Sequence, residues 1–320
     1  MAVRKAVITA AGRGPRLYPV ADTVQKGMLP LLDRDGIAKP LIQIIIEEAI
    51  ESGVEEVCLV GAPGDEEQYR RLLTQLRDGL DCAYGGAAWA KTQAQALDDL
   101  LRRLSFAVQE EPMGYGHAVY CAKSFVNGED FLLMLGDHVY ISADPERRCA
   151  RQLIELAERE HCPVAAVNPT REHLVRLYGT LSGKRAGDLA NVYEIEKIVE
   201  KPSLGKAELE LQTPGLRVGH YLCFFGMHVL PARLFDYLEA ELWNAQSAGG
   251  DCQLTPALQE LANRERYLAA ELRGTRHDIG APFGMLYTQM ALGLAGRQRD
   301  LMLSGVVELL SGAAQRPDGP

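Results

Sequence analysis

No two of the seven cysteines lie within a C-x-x-C spacing, and their number is odd, so the chain carries neither a disulfide framework nor a zinc ribbon. Most of them sit among apolar neighbours, as in Val57-Cys58-Leu59 and Leu222-Cys223-Phe224, where cysteine behaves as a small buried hydrophobe. No apolar run approaches the roughly 20 residues that a membrane-spanning helix requires. The sequence opens Met-Ala-Val-Arg-Lys and meets Gly12 too early for the apolar core of a secretory signal. No membrane role is implied, and a reducing, cytoplasmic setting is expected. Basic charge is also in short supply: 34 Lys and Arg stand against 43 Asp and Glu, a formal net charge of −9. That balance excludes binding of a nucleic-acid polymer through overall charge, which needs clustered cations to displace counterions. It leaves open a small polyanion held by a few placed cations. Internal repeats and low-complexity tracts are missing as well.

What is present reads as an ordinary globular chain, with 47% hydrophobic and 24% charged residues. Its 320 residues suffice for one large α/β domain or two smaller ones, and can bury a core without disulfides or metals. Short apolar runs alternate with helical patterns. Strands are expected at Lys5–Ala11, Glu55–Gly61, Phe131–Leu135 and Pro163–Val167, and helices at Lys39–Gly53, Glu66–Leu76 and Arg147–His161. Such alternation implies parallel strands with helices on both faces of a sheet. After about Thr170 the pattern changes. Val192–Val199 and Tyr221–Val229 read as strands without regular helical spacing, which suggests a mixed sheet. Helices are expected again at Pro231–Gln246, Pro256–Glu265, Phe283–Leu294 and Leu301–Ala314, before a tail at Gln315–Pro320. Asp33-Arg34-Asp35-Gly36 is a turn signal.

The first motif with chemistry is Ala10-Ala11-Gly12-Arg13-Gly14-Pro15-Arg16-Leu17-Tyr18-Pro19, directly after the first strand. Glycines at a strand's carboxyl end let the backbone approach a ligand, and its N–H groups can cradle phosphates. A dinucleotide-binding fingerprint would need glycine where Leu17 stands, which counts against a dehydrogenase, and Gly-Lys-Ser/Thr of a P-loop is absent. Two cations follow instead, Arg16 and then Lys26 in Gln25-Lys26-Gly27-Met28-Leu29-Pro30, a combination suited to a polyphosphate.

These residues resemble the sugar-1-phosphate nucleotidyltransferases, which carry an A-G-x-G-T-R-x-x-P loop and a P-K-E-M-L-P segment, and the chain is most similar to the bacterial UTP–glucose-1-phosphate uridylyltransferase group. Further stations in the family's order are Lys39–Gly53, Gln109–Ala122, Leu135-Gly136-Asp137, Tyr178-Gly179, Glu200-Lys201-Pro202, Gln253-Leu254-Thr255 and Asp278-Ile279-Gly280. Any one alone is weak, but the ordered set spans nearly the whole chain. The resemblance implies an α/β, Rossmann-like (GT-A-like) nucleotidyltransferase fold with a mixed, mostly parallel central sheet flanked by helices. It places the catalytic domain at 1–296 and leaves 297–320 as a C-terminal helix and tail, a candidate oligomer contact in a family of dimers and tetramers.

The implied reaction is in-line attack of a sugar-1-phosphate oxygen on the α-phosphate of a nucleoside triphosphate, with UTP and glucose 1-phosphate as substrates. It demands positioning and charge neutralisation above all. By resemblance, Arg16 and Lys26 are catalytic cations on the triphosphate, and Ala11, Gly12, Gly14, Gln109 and Gly114 bind the nucleotide. Gly179, Glu200 and Lys201 bind the sugar phosphate, and Asp137 and Asp278 hold Mg2+, a hard ion that favours oxygen. His138 and His277 flank those aspartates and are not expected as ligands. His117 is expected to pack at a helix start. Asp137 and Asp278 would otherwise serve as helix caps or turn residues. The chain departs from the family at Pro15 for threonine, at Gly27 for the glutamate after the lysine, and at Met113 in the base loop. Those departures leave open another nucleotide such as dTTP, or a nucleotide-sugar-binding regulatory homologue with weakened turnover.

Overall fold

The computed structural model describes residues 2–12 and 24–314. Strand β1 (Lys5–Thr9) comes first. A 3-10 turn at Lys26–Met28 precedes β2 (Pro30–Leu32), β3 (Ala38–Pro40), α1 (Leu41–Ile50), β4 (Glu56–Gly61), α2 (Asp65–Tyr84), α3 (Ala88–Arg103) and β5 (Leu104–Val108). Helices α4 (Tyr115–Tyr120) and α5 (Lys123–Val126) lead to β6 (Phe131–Leu135), β7 (His138–Ser142), α6 (Cys149–Glu160) and β8 (Val164–Arg171). A 3-10 segment at Glu172–Leu177 is followed by β9 (Thr180–Arg185), β10 (Val192–Val199), α7 (Leu204–Glu210) and β11 (His220–Leu230). The last elements are α8 (Leu234–Ala248), α9 (Leu254–Arg264), β12 (Leu268–Glu271), β13 (Gly274–Asp278), α10 (Gly284–Ala295) and α11 (Arg299–Ala314). No described helix is long and apolar enough to cross a membrane.

The chain divides into two compact units, the first made of Met1–Gly12, Ile46–Gly136 and Ser142–Gly274. It holds a nine-stranded sheet in the order β5-β4-β1-β6-β11-β8-β12-β10-β9. Among the described residues, seven strands of this sheet run one way and β11 and β10 run against them. The central strands are buried along nearly their whole length, Ala6, Val7 and Ile8 of β1 and Leu132, Leu133 and Met134 of β6 among them. Strands covered on both faces show continuous apolar runs of this kind rather than alternation. Val7, Phe131, Leu133, Ala165 and Leu222 pack with Leu234, Phe235 and Leu238 of α8 and Leu254, Leu258 and Leu261 of α9. Phe131 and Phe235 stack with ring centroids 5.4 Å apart. Large side chains buried this way stabilise by about 1.5–3 kcal/mol each relative to exposure.

The second unit comprises Arg13–Ile45, Asp137–Ile141 and Thr275–Pro320. Here β2 pairs with β3 and β7 with β13. The hairpin between β2 and β3 turns at the Asp33–Gly36 signal, with Gly36 N donating to Asp33 O and Asp33 N to Ile37 O, both at 2.9 Å. The buried Asp33 carboxylate holds Lys39 Nζ at 2.8 Å, and Asp35 holds it at 3.0 Å. The helix expected from Lys39 therefore begins two residues later. Lys39 and Pro40 belong to β3, where Pro40 faces Pro30 and Lys39 faces Leu31, and Leu41 N donates to Leu29 O. A proline without an N–H is tolerated in so short an edge strand. Helix α2 runs on to Tyr84, well past Leu76, and α3, β5, β9, β12 and β13 occupy stretches without an expected element.

Candidate active site

Asp137 follows β6 by two residues, and its backbone O accepts from Ile279 N at 3.1 Å. That link joins the start of β7 to the end of β13 and places Asp278 near Asp137. Three side chains gather there: one ligand atom each from Asp137, His138 and Asp278 lie within 4.8 Å of one another. Asp137 Oδ2 pairs with Lys26 Nζ at 2.6 Å, and Asp137 Oδ1 with His138 Nδ1 at 2.6 Å. Asp278 Oδ1 accepts from Gly280 N at 2.7 Å. Burial by itself would raise the Asp137 carboxyl. The hydrogen bond from His138, its charge and the Lys26 ammonium outweigh that and hold Asp137 well below the usual carboxylate range. Asp137 is therefore a full anion at neutral pH.

Lys26 reaches Asp137 from the 3-10 turn, in which Met28 N donates to Gln25 O at 2.8 Å and Leu29 N to Lys26 O at 3.2 Å. Gly27, which stands where the family carries a carboxylate, is buried in that turn. Gly280 lies against the same charged groups. A Cβ there would stand 2.8 Å from Lys26 Nζ, 3.1 Å from Asp278 Oδ1 and 3.5 Å from Asp137 Oδ2, so the space between these charged groups depends on glycine. Two carboxylates around a space that a methyl would fill suit a hard divalent cation such as Mg2+. His277 turns elsewhere, with Nε2 3.1 Å from Thr275 Oγ1. His138, not expected from the sequence to take part, orients the Asp137 carboxylate through Nδ1. Its only sequence signal was adjacency.

In the first unit, Gln109 follows β5 directly and is buried, with its N donating to Gly61 O at 2.8 Å. Its Nε2 donates to Gly114 O at 3.1 Å and lies 3.2 Å from His117 Nδ1. Gly114 has φ +98°, and a Cβ there would stand 2.6 Å from Cys252 O, so no other residue fits without movement. Cys252 N donates to Met113 O and Gly116 N to Cys252 O, both at 2.8 Å, which pins the loop ahead of α4. His117 lies half-buried in the first turn of α4, where it was expected to pack, and is also in hydrogen-bonding contact with Gln109.

A second cluster in the same unit joins Gly179, Glu200 and Lys201. Glu200 Oε2 accepts from Thr255 Oγ1 at 2.8 Å, and Glu200 Oε1 lies 3.4 Å from Lys201 Nζ. Lys201 has φ +42°, a left-handed conformation that costs a non-glycine residue free energy, and its N donates to Tyr178 O at 3.2 Å. A Cβ on Gly179 would meet the Phe224 ring at 2.8 Å and Glu200 Oε2 at 3.1 Å, so the glycine brings the chain close to that carboxylate. Thr255 was legible only as part of the Gln253-Leu254-Thr255 station. Ala11 and Gly12 follow β1, and a Cβ on Gly12 would meet nothing within 4 Å. Gly14 and Arg16 lie outside the described residues.

Two neighbouring aspartates with a lysine on one of them, in a chain that also folds a nine-stranded mixed sheet, are the features of a nucleotidyltransferase. The chain belongs to that family: the sequence profile described as "Nucleotidyl transferase" matches residues 5–292. It is 34% identical over 291 residues to the UTP–glucose-1-phosphate uridylyltransferase of Streptococcus pneumoniae serotype 4, covering 90% of this chain and 89% of that protein. It is also 34% identical over 298 residues to the UTP–glucose-1-phosphate uridylyltransferase YngB of Bacillus subtilis, covering 91% and 90%. Among solved structures, a UDP-glucose pyrophosphorylase complexed with UDP-glucose superposes with a TM-score of 0.72 at 27% identity, covering 90% of this chain and 98% of that one. The UTP-bound enzyme from Acinetobacter baumannii gives a TM-score of 0.73 at 25% identity, covering 95% and 98%.

Proposed function

We propose that the chain is a UTP:glucose-1-phosphate uridylyltransferase, working in the cytoplasm as a homodimer or homotetramer. The observation that carries this reading is the 34% identity over nine-tenths of the chain to enzymes of that activity. An oxygen of glucose 1-phosphate attacks the α-phosphorus of UTP. The new P–O bond forms as the bond to the bridging oxygen breaks, and pyrophosphate leaves with the bonding pair, giving UDP-glucose.

Lys26 and Arg16 neutralise the triphosphate and the departing pyrophosphate, while the backbone at Ala11, Gly12 and Gly14 approaches the phosphates. Gln109 and Gly114 bind the uracil edge. Glu200 accepts from sugar hydroxyls, Lys201 pairs with the sugar phosphate, and Gly179 allows close approach. Asp137 and Asp278 would hold Mg2+, which when bound supplies charge neutralisation at the phosphate oxygens. His138 keeps Asp137 oriented and ionised. The catalytic machinery falls within residues 1–296, and 297–320 serves contact between protomers. Exposed Leu301, Leu309 and Leu310 on α11 and Phe283, Leu286 and Tyr287 around the start of α10 support that role.

The test is pyrophosphate release across a panel of nucleoside triphosphates and sugar 1-phosphates. The fastest release is expected with UTP and glucose 1-phosphate, abolished by EDTA and restored by Mg2+. No release from any pair would overturn the reading.

A further inference from the structure

Gln109 carries an amide whose two ends offer opposite hydrogen-bonding characters, so its orientation decides what it can recognise. The amide nitrogen has two neighbours inside the protein: it donates to Gly114 O at 3.1 Å, and His117 Nδ1 lies 3.2 Å away. Among the described residues, Oε1 receives no hydrogen bond, and it is not among the buried polar atoms left without a partner. The amide oxygen is thus the one free end. Gly114 O is fixed in space because its loop is tied to Cys252 on both sides.

His117 Nδ1 faces two groups, Gln109 Nε2 and Glu111 O, the latter at 3.1 Å. A single ring nitrogen can accept from the first or donate to the second, never both. At the other end of the ring, Nε2 lies 3.8 Å from Cys121 Sγ, one turn along the helix. Burial raises the Cys121 thiol, so its sulfur stays protonated and uncharged, with lone pairs free to accept. A neutral ring with its hydrogen on Nε2 satisfies this contact and leaves Nδ1 as an acceptor. The opposite tautomer would bond Glu111 O and leave one amide hydrogen of buried Gln109 without a partner, a costly outcome.

We infer that His117 is a positioning residue for nucleotide-base selection: its Nδ1 accepts from Gln109 and, with Gly114 O, locks the amide so that only Oε1 faces the base. This rests on the proposed placement of the base at Gln109. A locked acceptor pairs with a base that donates at N3, as uracil and thymine do. It repels cytosine, whose N3 is itself an acceptor, because two lone pairs would face each other at a desolvated contact. Without the lock, the amide could rotate and offer its NH2 to cytosine.

The experiment compares wild type with His117→Phe, His117→Asn and Gln109→Leu, measuring KM and kcat with UTP and CTP, after thermal melting shows that each variant is folded. His117→Phe is expected to raise the UTP KM about tenfold, the value of one hydrogen bond, with a smaller change in kcat and a loss of UTP-over-CTP preference of similar size. His117→Asn, whose Oδ1 stands near the place of Nδ1 and only accepts, should restore the preference. If Gln109→Leu abolishes the preference while His117→Phe leaves it intact, the lock is refuted and the placement of the base survives. If Gln109→Leu leaves the preference intact, the placement fails and the lock with it.

Discussion

Lys26 and Asp137 form an ion pair at 2.6 Å across 111 residues of sequence. The lysine side chain is 11% exposed and the aspartate 34%, so the pair sits partly desolvated and is screened less than a surface bridge. The same carboxylate is one of two that would hold the metal. Asp137→Ala is therefore expected to abolish metal-dependent turnover. Lys26→Ala should lower kcat by about 10²–10³-fold, the usual cost of losing one preorganised charge at a transition state. Pyrophosphate release measures both, and wild-type rates in either variant would show that the pair lies outside the chemistry.

Gly280→Ala tests the crowding around that pair. The added methyl would stand 2.8 Å from Lys26 Nζ, the end of a flexible side chain, so the lysine moves and the backbone stays. Activity is expected to fall by about tenfold or more while the melting temperature changes little. A parallel drop in both would mean that the glycine serves the fold instead.

Lys201→Ala should weaken use of glucose 1-phosphate far more than use of UTP. The expected change is a rise in the glucose 1-phosphate KM of about tenfold or more, the loss of one charge-assisted contact. Initial-rate measurements with each substrate varied in turn separate the two effects. An unchanged sugar-phosphate KM would remove Lys201 from that role.

His228 is buried on β11, with Nδ1 2.8 Å from Tyr267 Oη. Burial alone pushes its pKa from 6.5 down to about 3. Between those values the unfolded chain binds a proton that the folded chain refuses, so stability falls as pH drops from 6.5 towards 3. The expected slope is about 1.4 kcal/mol per pH unit from this residue. Urea unfolding of His228→Gln across that range should show a shallower decline. An identical slope would assign acid sensitivity to other groups.

Thiol reactivity should single out Cys82, the exposed cysteine of α2. Cys58, Cys149, Cys162, Cys223 and Cys252 are buried, and burial pushes Cys58 up to about 12 and Cys252 up to about 11. One fast equivalent is expected with an aromatic disulfide reagent in the native state. Cys82→Ser should remove it, and the buried thiols should react only after unfolding. Fast labelling that survives in Cys82→Ser would contradict this.

The strands with the plainest apolar runs were legible without coordinates: Val192–Val199 is β10 and Phe131–Leu135 is β6. Asp33–Gly36 was legible as a turn because aspartate and glycine each favour turn geometry locally. Lys39 and Pro40 carry a helix-start signal, since proline favours the first helical turn, yet pairing with Leu31 and Pro30 takes both into a strand. Short strands such as β12 and β13 carry too few residues for any period to stand out, and their pairing partners supply what their own sequence does not.

The residues of this chain by themselves determined its class and its cast of charges: buried runs for a mixed sheet, and Lys26, Asp137, Lys201 and Asp278 in the order of a nucleotidyltransferase. Only tertiary structure decided that Lys26 meets Asp137, that His138 rather than His277 joins the aspartates, and that His117 at its helix start also contacts Gln109. Periodicity and turn chemistry act over a few neighbouring residues, so sequence displays them. A hydrogen bond between distant side chains depends on how strands and loops are stacked, and that is settled by packing the whole chain at once.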